Sequence, residues 1–399
     1  MAAAKPYSVR WGILATGGIA TTFTKDLLTN PATRSVSDIS HIVAAAASSS
    51  SASRARDFLS SVRAPSSAKA YGSYHELAHD PDLDIIYIAT PHSHHFQNAM
   101  LCLEAGKNVL CEKSLTVNAA QARKLVAKAK EKGVFLMEAV WTRYFPLSIK
   151  IRALVKDGAI GKVERVFSDL SINAAGDGDE LSFSDDSRMV NVDLAGGALL
   201  DLGIYSLTWQ FQILYLCAEK KEKPRVVAAV QRYRTGADEM TSMVLSWEGN
   251  RTVGIATTGL RVATQPHGEG DLGTGPSCRI QGTKGEIQVY GPLYRPVMYK
   301  VVKHGDEGGK IEEVDCPIPS DPEREGKDGK GWGHGMFWEA DEAARCLRDG
   351  KVQSETLTWD ESLVIMDVMD EVRRQGGVVY PKEIESDVYD EKSPLNGKS

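Results

Sequence analysis

A chain of 399 residues, 42% hydrophobic and 25% charged, is long enough for two or three domains and apolar enough to build ordinary cores. Its formal net charge of -6 argues against a polyanionic partner. Neutralising a phosphate backbone takes clustered Lys and Arg, so no nucleic acid is expected. Met1 to Pro6 is too short and polar for a secretory signal, and no apolar run reaches the length of a membrane span. No membrane role is expected, and the default location is cytoplasmic. The six cysteines (Cys102, Cys111, Cys217, Cys278, Cys316, Cys346) show no C-x-x-C spacing, which fits reduced thiols better than a zinc site or a disulfide framework.

Tyr7 to Ala15 reads as a first strand, followed by Ala15-Thr16-Gly17-Gly18-Ile19-Ala20 and a helix over Thr21 to Leu28. Strand, glycine turn and helix form the dinucleotide-binding pattern: small residues at Ala15, Gly17 and Ala20 serve the tight turn, the approach of a diphosphate and helix packing. The backbone of Gly17, Gly18 and Ile19 then offers N–H groups at a helix N-terminus. The first position departs from glycine, and alanine adds only modest bulk there. His41 to Ala47 reads as the second strand. Its end, Ser48 to Ser51 with Arg54, brings hydroxyls and a cation but no carboxylate to repel a 2′-phosphate. Ser49, Ser50 and Arg54 therefore favour NADP over NAD. The alternative for the serines is a flexible linker.

A further strand over Asp84 to Ala89 ends in Thr90-Pro91-His92-Ser93-His94-His95. Adjacent histidines without a supporting carboxylate or cysteine do not face one ion easily, so no metal is expected. Thr90 and His92 are read instead as lining the cofactor crevice. Asn108 to Cys111 is the strand that opens into Glu112-Lys113-Ser114, where a fixed ammonium can hold a hydroxyl and depress the pKa of a neighbouring acid. A helix over Ala119 to Lys132, closed by Gly133, and a strand over Val134 to Met137 follow. The first domain is expected over 1–146 and the second over 147–399.

Beyond Pro146 the pattern changes to a helix over Leu147 to Lys156 and then strands near 163–173, 226–234, 240–248, 252–259, 278–281, 286–290 and 297–303, joined by hairpin-like turns. This predicts an α/β first domain followed by an α+β domain with a large open, predominantly antiparallel sheet, whose outer face pairs with a second copy. Leu194 to Leu207 reads as a glycine turn entering a helix. Asp201 and Tyr205, four apart, would share one face, so that a carboxylate can orient a phenol. The alternative is an Asp and a Tyr packed at a domain seam. His304 to His334 is rich in Gly, Lys, Glu and Asp and reads as a mobile loop, loosest over Gly326 to Gly335. Met336 to Leu347 and Asp360 to Arg373 read as amphipathic helices, and the tail after Pro381 as an exposed loop.

The A-x-G-x-x-A turn, Glu112-Lys113, and Gly196-Gly197 with Asp201 and Tyr205 together resemble the glucose-fructose oxidoreductase/inositol dehydrogenase family over nearly the whole chain. The segment Met137 to Pro146 is similar to the dimeric dihydrodiol dehydrogenase branch. With Ser48 to Ser51, His92 to Gln97 and Leu194 to Leu207, it looks closer still to the fungal NADP-dependent D-xylose dehydrogenases. Ser114 stands where the family usually has proline, so the bend must come from elsewhere.

The resemblance implies Tyr205 as general acid/base, Lys113 as its activator and Asp201 as supporting carboxylate. A phenol of ordinary pKa about 10 is a poor base at neutral pH until a nearby ammonium lowers it. The implied reaction is oxidation of an aldose at C1 to the lactone, with trans-dihydrodiol oxidation as the alternative. Trp141, with Arg143 and Arg188 beside it, would form a sugar wall, and for both arginines a structural ion pair is the preferred reading. A nucleotide-sensing protein without turnover would be expected to lose Lys113 or Tyr205, and both are present.

Overall fold

The computed structural model of the protein describes residues 5–268, 273–305, 311–324, 326, 329 and 331–397. The chain forms two compact units, one from residues 1–141, 318–359 and 385–399, the other from 142–317 and 360–384. A single cut at 146 does not describe this division, because two later stretches return to the first unit.

In the first unit β1 (Tyr7–Leu14), α1 (Gly18–Leu27), β2 (Ile39–Ala47), α2 (Ala52–Ser61), β3 (Lys69–Tyr71), α3 (Tyr74–Ala78), β4 (Ile85–Ile88), α4 (His92–Glu104), β5 (Asn108–Glu112), α5 (Ala119–Lys132) and β6 (Leu136–Ala139) alternate. The six strands are parallel, in the order β3-β2-β1-β4-β5-β6. The order reverses between β1 and β4, which opens a crevice at the carboxyl ends of the strands. Short-range chemistry sets the helix ends. Ser51 accepts from Arg54 N, Ser73 and Glu76 form a capping box, Asn118 accepts from Gln121 N, and Gly133 at φ +64° closes α5. The serine run is thus a turn leading into a cap and not a linker.

The second unit contains α6 (Pro146–Lys156), β7 (Val163–Ser171), α7 (Ile204–Leu214), β8 (Arg225–Arg232), β9 (Asp238–Trp247), β10 (Thr252–Gly259), β11 (Cys278–Gly282), β12 (Gly285–Tyr290), β13 (Met298–Lys303) and β14 (Ile311–Asp315). The eight strands run β14-β13-β12-β11-β7-β10-β9-β8, antiparallel except for the β7–β10 pair. Helix α7 is buried along its whole length on one face of this sheet. Its polar residues are only partly satisfied there: Gln210 donates to Ser168 Oγ at 2.6 Å and to the Ile255 carbonyl at 3.1 Å, while its Oε1 and the Nε2 of Gln212 are buried without a partner among the described residues. Strand β14 was expected to be loop. It is an edge strand whose exposed Glu312, Glu313 and Asp315 blunt the sheet edge, so its charge density masks its pairing with β13.

After the sheet come α8 (Phe337–Arg348), α9 (Trp359–Gly376) and α10 (Lys382–Glu385). Helix α8 packs against α1, β1 and β2. It is fixed there by a buried set in which Arg34 donates twice to Asp341, each at 2.8 Å, and His41 Nε2 lies 2.9 Å from the same carboxylate.

The tail expected as an exposed loop is tied down by side chains, and the expected mobile loop over His304 to His334 falls in part, at 306–310, 325, 327, 328 and 330, outside the described residues. The C-terminal tail lies against α4 and α5: Gln97 donates to the Val388 carbonyl, Asn98 to Leu395 and Asn396, Asn118 to Glu385 and Gln121 to Ser386. In the glycine-rich stretch, Trp332 exchanges both backbone hydrogen bonds with Asp321, at 2.8 and 3.0 Å. A Cβ on Gly333 would lie 1.9 Å from the Pro319 carbonyl oxygen. Glycine there answers a close backbone approach. Among the described residues, no helix is long and apolar enough to cross a membrane.

Candidate active site

The turn after β1 presents a backbone cradle. Gly17 is the N-cap of α1 with no side chain capping the first turn, and a Cβ at Gly17 or Gly18 would meet nothing within 4 Å. Ile19 is 38% exposed and Ala20 is fully buried against the sheet. Uncapped N–H groups at a helix start, with open space before them, suit a diphosphate. Ala15 has φ +81°, in the left-handed region. The departure from glycine is therefore conformational, of order 1 kcal/mol, rather than a matter of bulk.

At the end of β2, Ser48 and Ser50 hydroxyls lie 3.0 Å apart, and Ser49 hydrogen-bonds Tyr74, with Arg54 close enough to act on that phenol by charge. Thr90, just past β4, keeps a buried hydroxyl without a hydrogen-bond partner among the described residues, at a position where a ligand could supply one. His92 Nε2 is 3.1 Å from the Lys113 carbonyl, and His95 lies between the Ser114 carbonyl at 2.8 Å and the Thr90 carbonyl at 2.9 Å. Burial pushes His95 down to about 4, against the two carbonyls, which favour the protonated ring. These histidines brace the Lys113–Ser114 turn, whose peptide bond is cis. Glu112 is 5% exposed and accepts from the Tyr87 hydroxyl.

In the second unit, Asp201 sits on a π-helical turn, Leu199–Gly203, that runs directly into α7, where Tyr205 occupies the first turn. The wider turn was invisible in the sequence, because all-apolar periodicity does not separate π from α. Its start is held by Asp238, whose Oδ2 accepts from Leu199 N at 2.7 Å and Thr241 Oγ1 at 3.0 Å. Burial pushes that carboxyl up to about 6. Gly197, at φ +133°, is required there, since a Cβ would stand 2.1 Å from Asp238 Oδ1. Arg188, its side chain 59% exposed, donates to Asp201 at 3.1 Å. Tyr205 packs against Tyr294 at a ring separation of 5.7 Å. Tyr294 is itself held by Thr142 Oγ1, which donates to its carbonyl at 2.5 Å. Neither Asp238 nor Tyr294 carried a local sequence signal.

The expected acid/base set is divided between the units: Lys113 lies in the first, Asp201 and Tyr205 in the second. Two of the wall residues have the following partners. Arg143 is fully buried, donating to Glu361 Oε1 at 2.7 Å and the Thr208 carbonyl at 3.4 Å, so it forms an internal ion pair and not a sugar contact. Trp141 stacks on His334 at 5.0 Å and 15° and is 4% exposed.

A family profile described as the oxidoreductase family with an NAD-binding Rossmann fold matches residues 9–140, and the GFO/IDH/MocA C-terminal domain matches 148–288. The chain is 60% identical to a D-xylose 1-dehydrogenase (NADP(+)) of Hypocrea jecorina, covering 99% of both. It is 36% identical to the human trans-1,2-dihydrobenzene-1,2-diol dehydrogenase, covering 94% of this chain and 99% of that one. An aldose-aldose oxidoreductase from Caulobacter crescentus shares the fold at TM-score 0.70 and 21% identity, covering 93% and 98% of the two chains. An NAD binding oxidoreductase from Klebsiella pneumoniae does so at 0.73 and 20%, covering 94% and 100%.

Proposed function

We propose that this chain, which belongs to the GFO/IDH/MocA oxidoreductase family, is an NADP-dependent dehydrogenase that oxidises C1 of an aldose, D-xylose foremost, to the lactone. The observation that carries this reading is the 60% identity, end to end, with a D-xylose 1-dehydrogenase (NADP(+)). The uncapped turn at Gly17, Gly18 and Ile19 would hold the diphosphate, and Ser49, Ser50 and Arg54 the 2′-phosphate. Thr90, His92 and Glu112 would line the crevice toward Lys113. Bound NADP⁺ supplies the acceptor for the hydride that leaves sugar C1. Tyr205 takes the proton of the C1 hydroxyl, Lys113 favours the ionised phenol, and Asp201, oriented by Arg188, supports the pair. Trp141 would bound the sugar.

The test is a kcat/KM panel of D-xylose, D-glucose, L-arabinose and a trans-dihydrodiol with NADP⁺. D-xylose should lead, with D-glucose behind it by roughly 1 to 3 kcal/mol of discrimination, because a site shaped for the pentose must accommodate an added hydroxymethyl. A dihydrodiol ahead of every sugar would replace the substrate reading with that of the 36% identical relative. No turnover of any of them would favour a nucleotide-binding protein.

The assembly is proposed to be a homodimer through the outer face of the eight-stranded sheet. Val227 and Val244 are 54% and 44% exposed there. A depression of about 210 Å³ on the second unit is lined by residues including Phe167, Ile255, Thr257 and Pro276. Apolar side chains on an open sheet face favour covering by a second copy. Light scattering at micromolar concentration should return twice the chain mass, and a monomer would rule the dimer out.

A further inference from the structure

Asp26 is a buried carboxylate with no local sequence signal of its own. It lies on α1 and is fully buried. Its Oδ1 accepts from Trp332 Nε1 at 2.7 Å and His334 N at 2.9 Å, and its Oδ2 from Met336 N at 2.6 Å and Phe337 N at 3.3 Å. Four donors converging on one carboxylate fix both the backbone of this segment and the entry into α8. The segment carries a row of rings: Trp141 stacks on His334, and His334 on Trp332 at 6.2 Å and 23°. Lys25 Nζ lies 4.5 Å from the Trp332 centroid. Ring order and backbone tether therefore meet at His334.

We propose that Asp26 is a positioning residue for the sugar site: by holding Trp332 and His334 it holds the ring against which Trp141 is set. This rests on the reading of Trp141 as a boundary of that site. The role requires the ionised carboxylate, since a proton on either oxygen would oppose one of the four N–H groups. Burial pushes Asp26 up to about 6, outweighing the donors that lower it. Glu339 on α8 faces it by charge, and burial followed by the charges of Glu112 and Asp26 holds that carboxyl well above the carboxylate range; Lys25, its neighbour on α1, lies over the Trp332 ring. Arg34, His41 and Asp341 form a separate set along α8. As pH falls through about 6, KM for the sugar should rise while kcat keeps its own profile. The fold itself is not weakened: a carboxyl raised in the folded state contributes stability below the unfolded value of about 4, and that contribution is lost as pH climbs through about 6. Melting temperature and KM therefore move independently.

The experiment combines KM and kcat for D-xylose across pH 5 to 8 with amide hydrogen exchange over Trp332 to Phe337, for the full chain and for D26N, W332F and H334A. Asn at position 26 turns an amide toward donors. D26N should raise KM about fivefold with kcat within about twofold, lose the acidic rise in KM, and exchange these amides faster. W332F, which deletes one donor and keeps a ring, should show a smaller change in the same direction if D26N does not fold. H334A should raise KM while keeping the acidic step. Unchanged amides in D26N would overturn the tether, and faster amides with unchanged KM would overturn its link to the sugar. If no aldose is turned over, the functional reading fails, and the exchange data still decide whether Asp26 holds the segment.

Discussion

Replacing Tyr205 by phenylalanine is expected to lower kcat at least about a hundredfold, near 2.7 kcal/mol of transition-state stabilisation, while NADP⁺ binding stays largely intact. The change removes one oxygen from a ring whose packing against Tyr294 and whose place in the first turn of α7 are otherwise preserved. Lys113→Met should act similarly, because the lysine is proposed to work through the phenol. For the same reason the double variant should be little worse than either single one, as groups that act as a unit are non-additive. Fluorescence titration of NADPH separates binding from turnover in each variant. Near-normal turnover by Tyr205→Phe would end the assignment of this tyrosine as the base, whatever the substrate proves to be.

The features legible in the sequence are local or periodic ones. The turn from Ala15 to Ala20, the buried strands β4 and β5, the opening at Glu112-Lys113, and the alternating strands of the second sheet all advertise themselves within a few residues. What escaped is either hidden by composition or built from distant partners. Strand β14 is charged because it lies at an edge, and β3 is only Lys69–Tyr71. The tail depends on side-chain amides of Gln97, Asn98, Asn118 and Gln121, which show no period along the chain. Asp26 meets a tryptophan 306 positions away, and within its own helix it is one more polar residue. At Ala15 the reverse holds: the motif was visible, but its positive φ was not. Sequence thus locates strand ends well, and it misses the carboxylates that fasten the segments lying against them.

Removing the carboxylate of Glu361 is expected to destabilise the second unit by about 3–5 kcal/mol, because it leaves a buried guanidinium without its counter-charge. Arg143 and Glu361 are both fully buried and meet at 2.7 Å. A second arginine, Arg152, is close by, donating to the Arg143 carbonyl and to Gln212, each at 2.9 Å. Burial, with the like charge of Arg143 next, pushes Arg152 down to about 10. Burial also raises Glu361 despite the pull of Arg143, so desolvation outweighs the pair's attraction on the acid side. That balance makes the cost of breaking the pair large and its intrinsic worth small. Glu361→Ala should therefore lower Tm by roughly 10 °C or more in calorimetry. The paired replacement Arg143→Met with Glu361→Leu should recover part of the loss, since the Arg143 guanidinium is then gone, although Arg152 still loses the charge of Glu361. A sugar-binding Arg143 makes the opposite forecast: the double variant would regain stability yet show a greatly raised KM, and Glu361→Ala would be mild in Tm. Stability recovered together with a KM near that of the parent would confirm Arg143 as a strut of the unit that carries Tyr205.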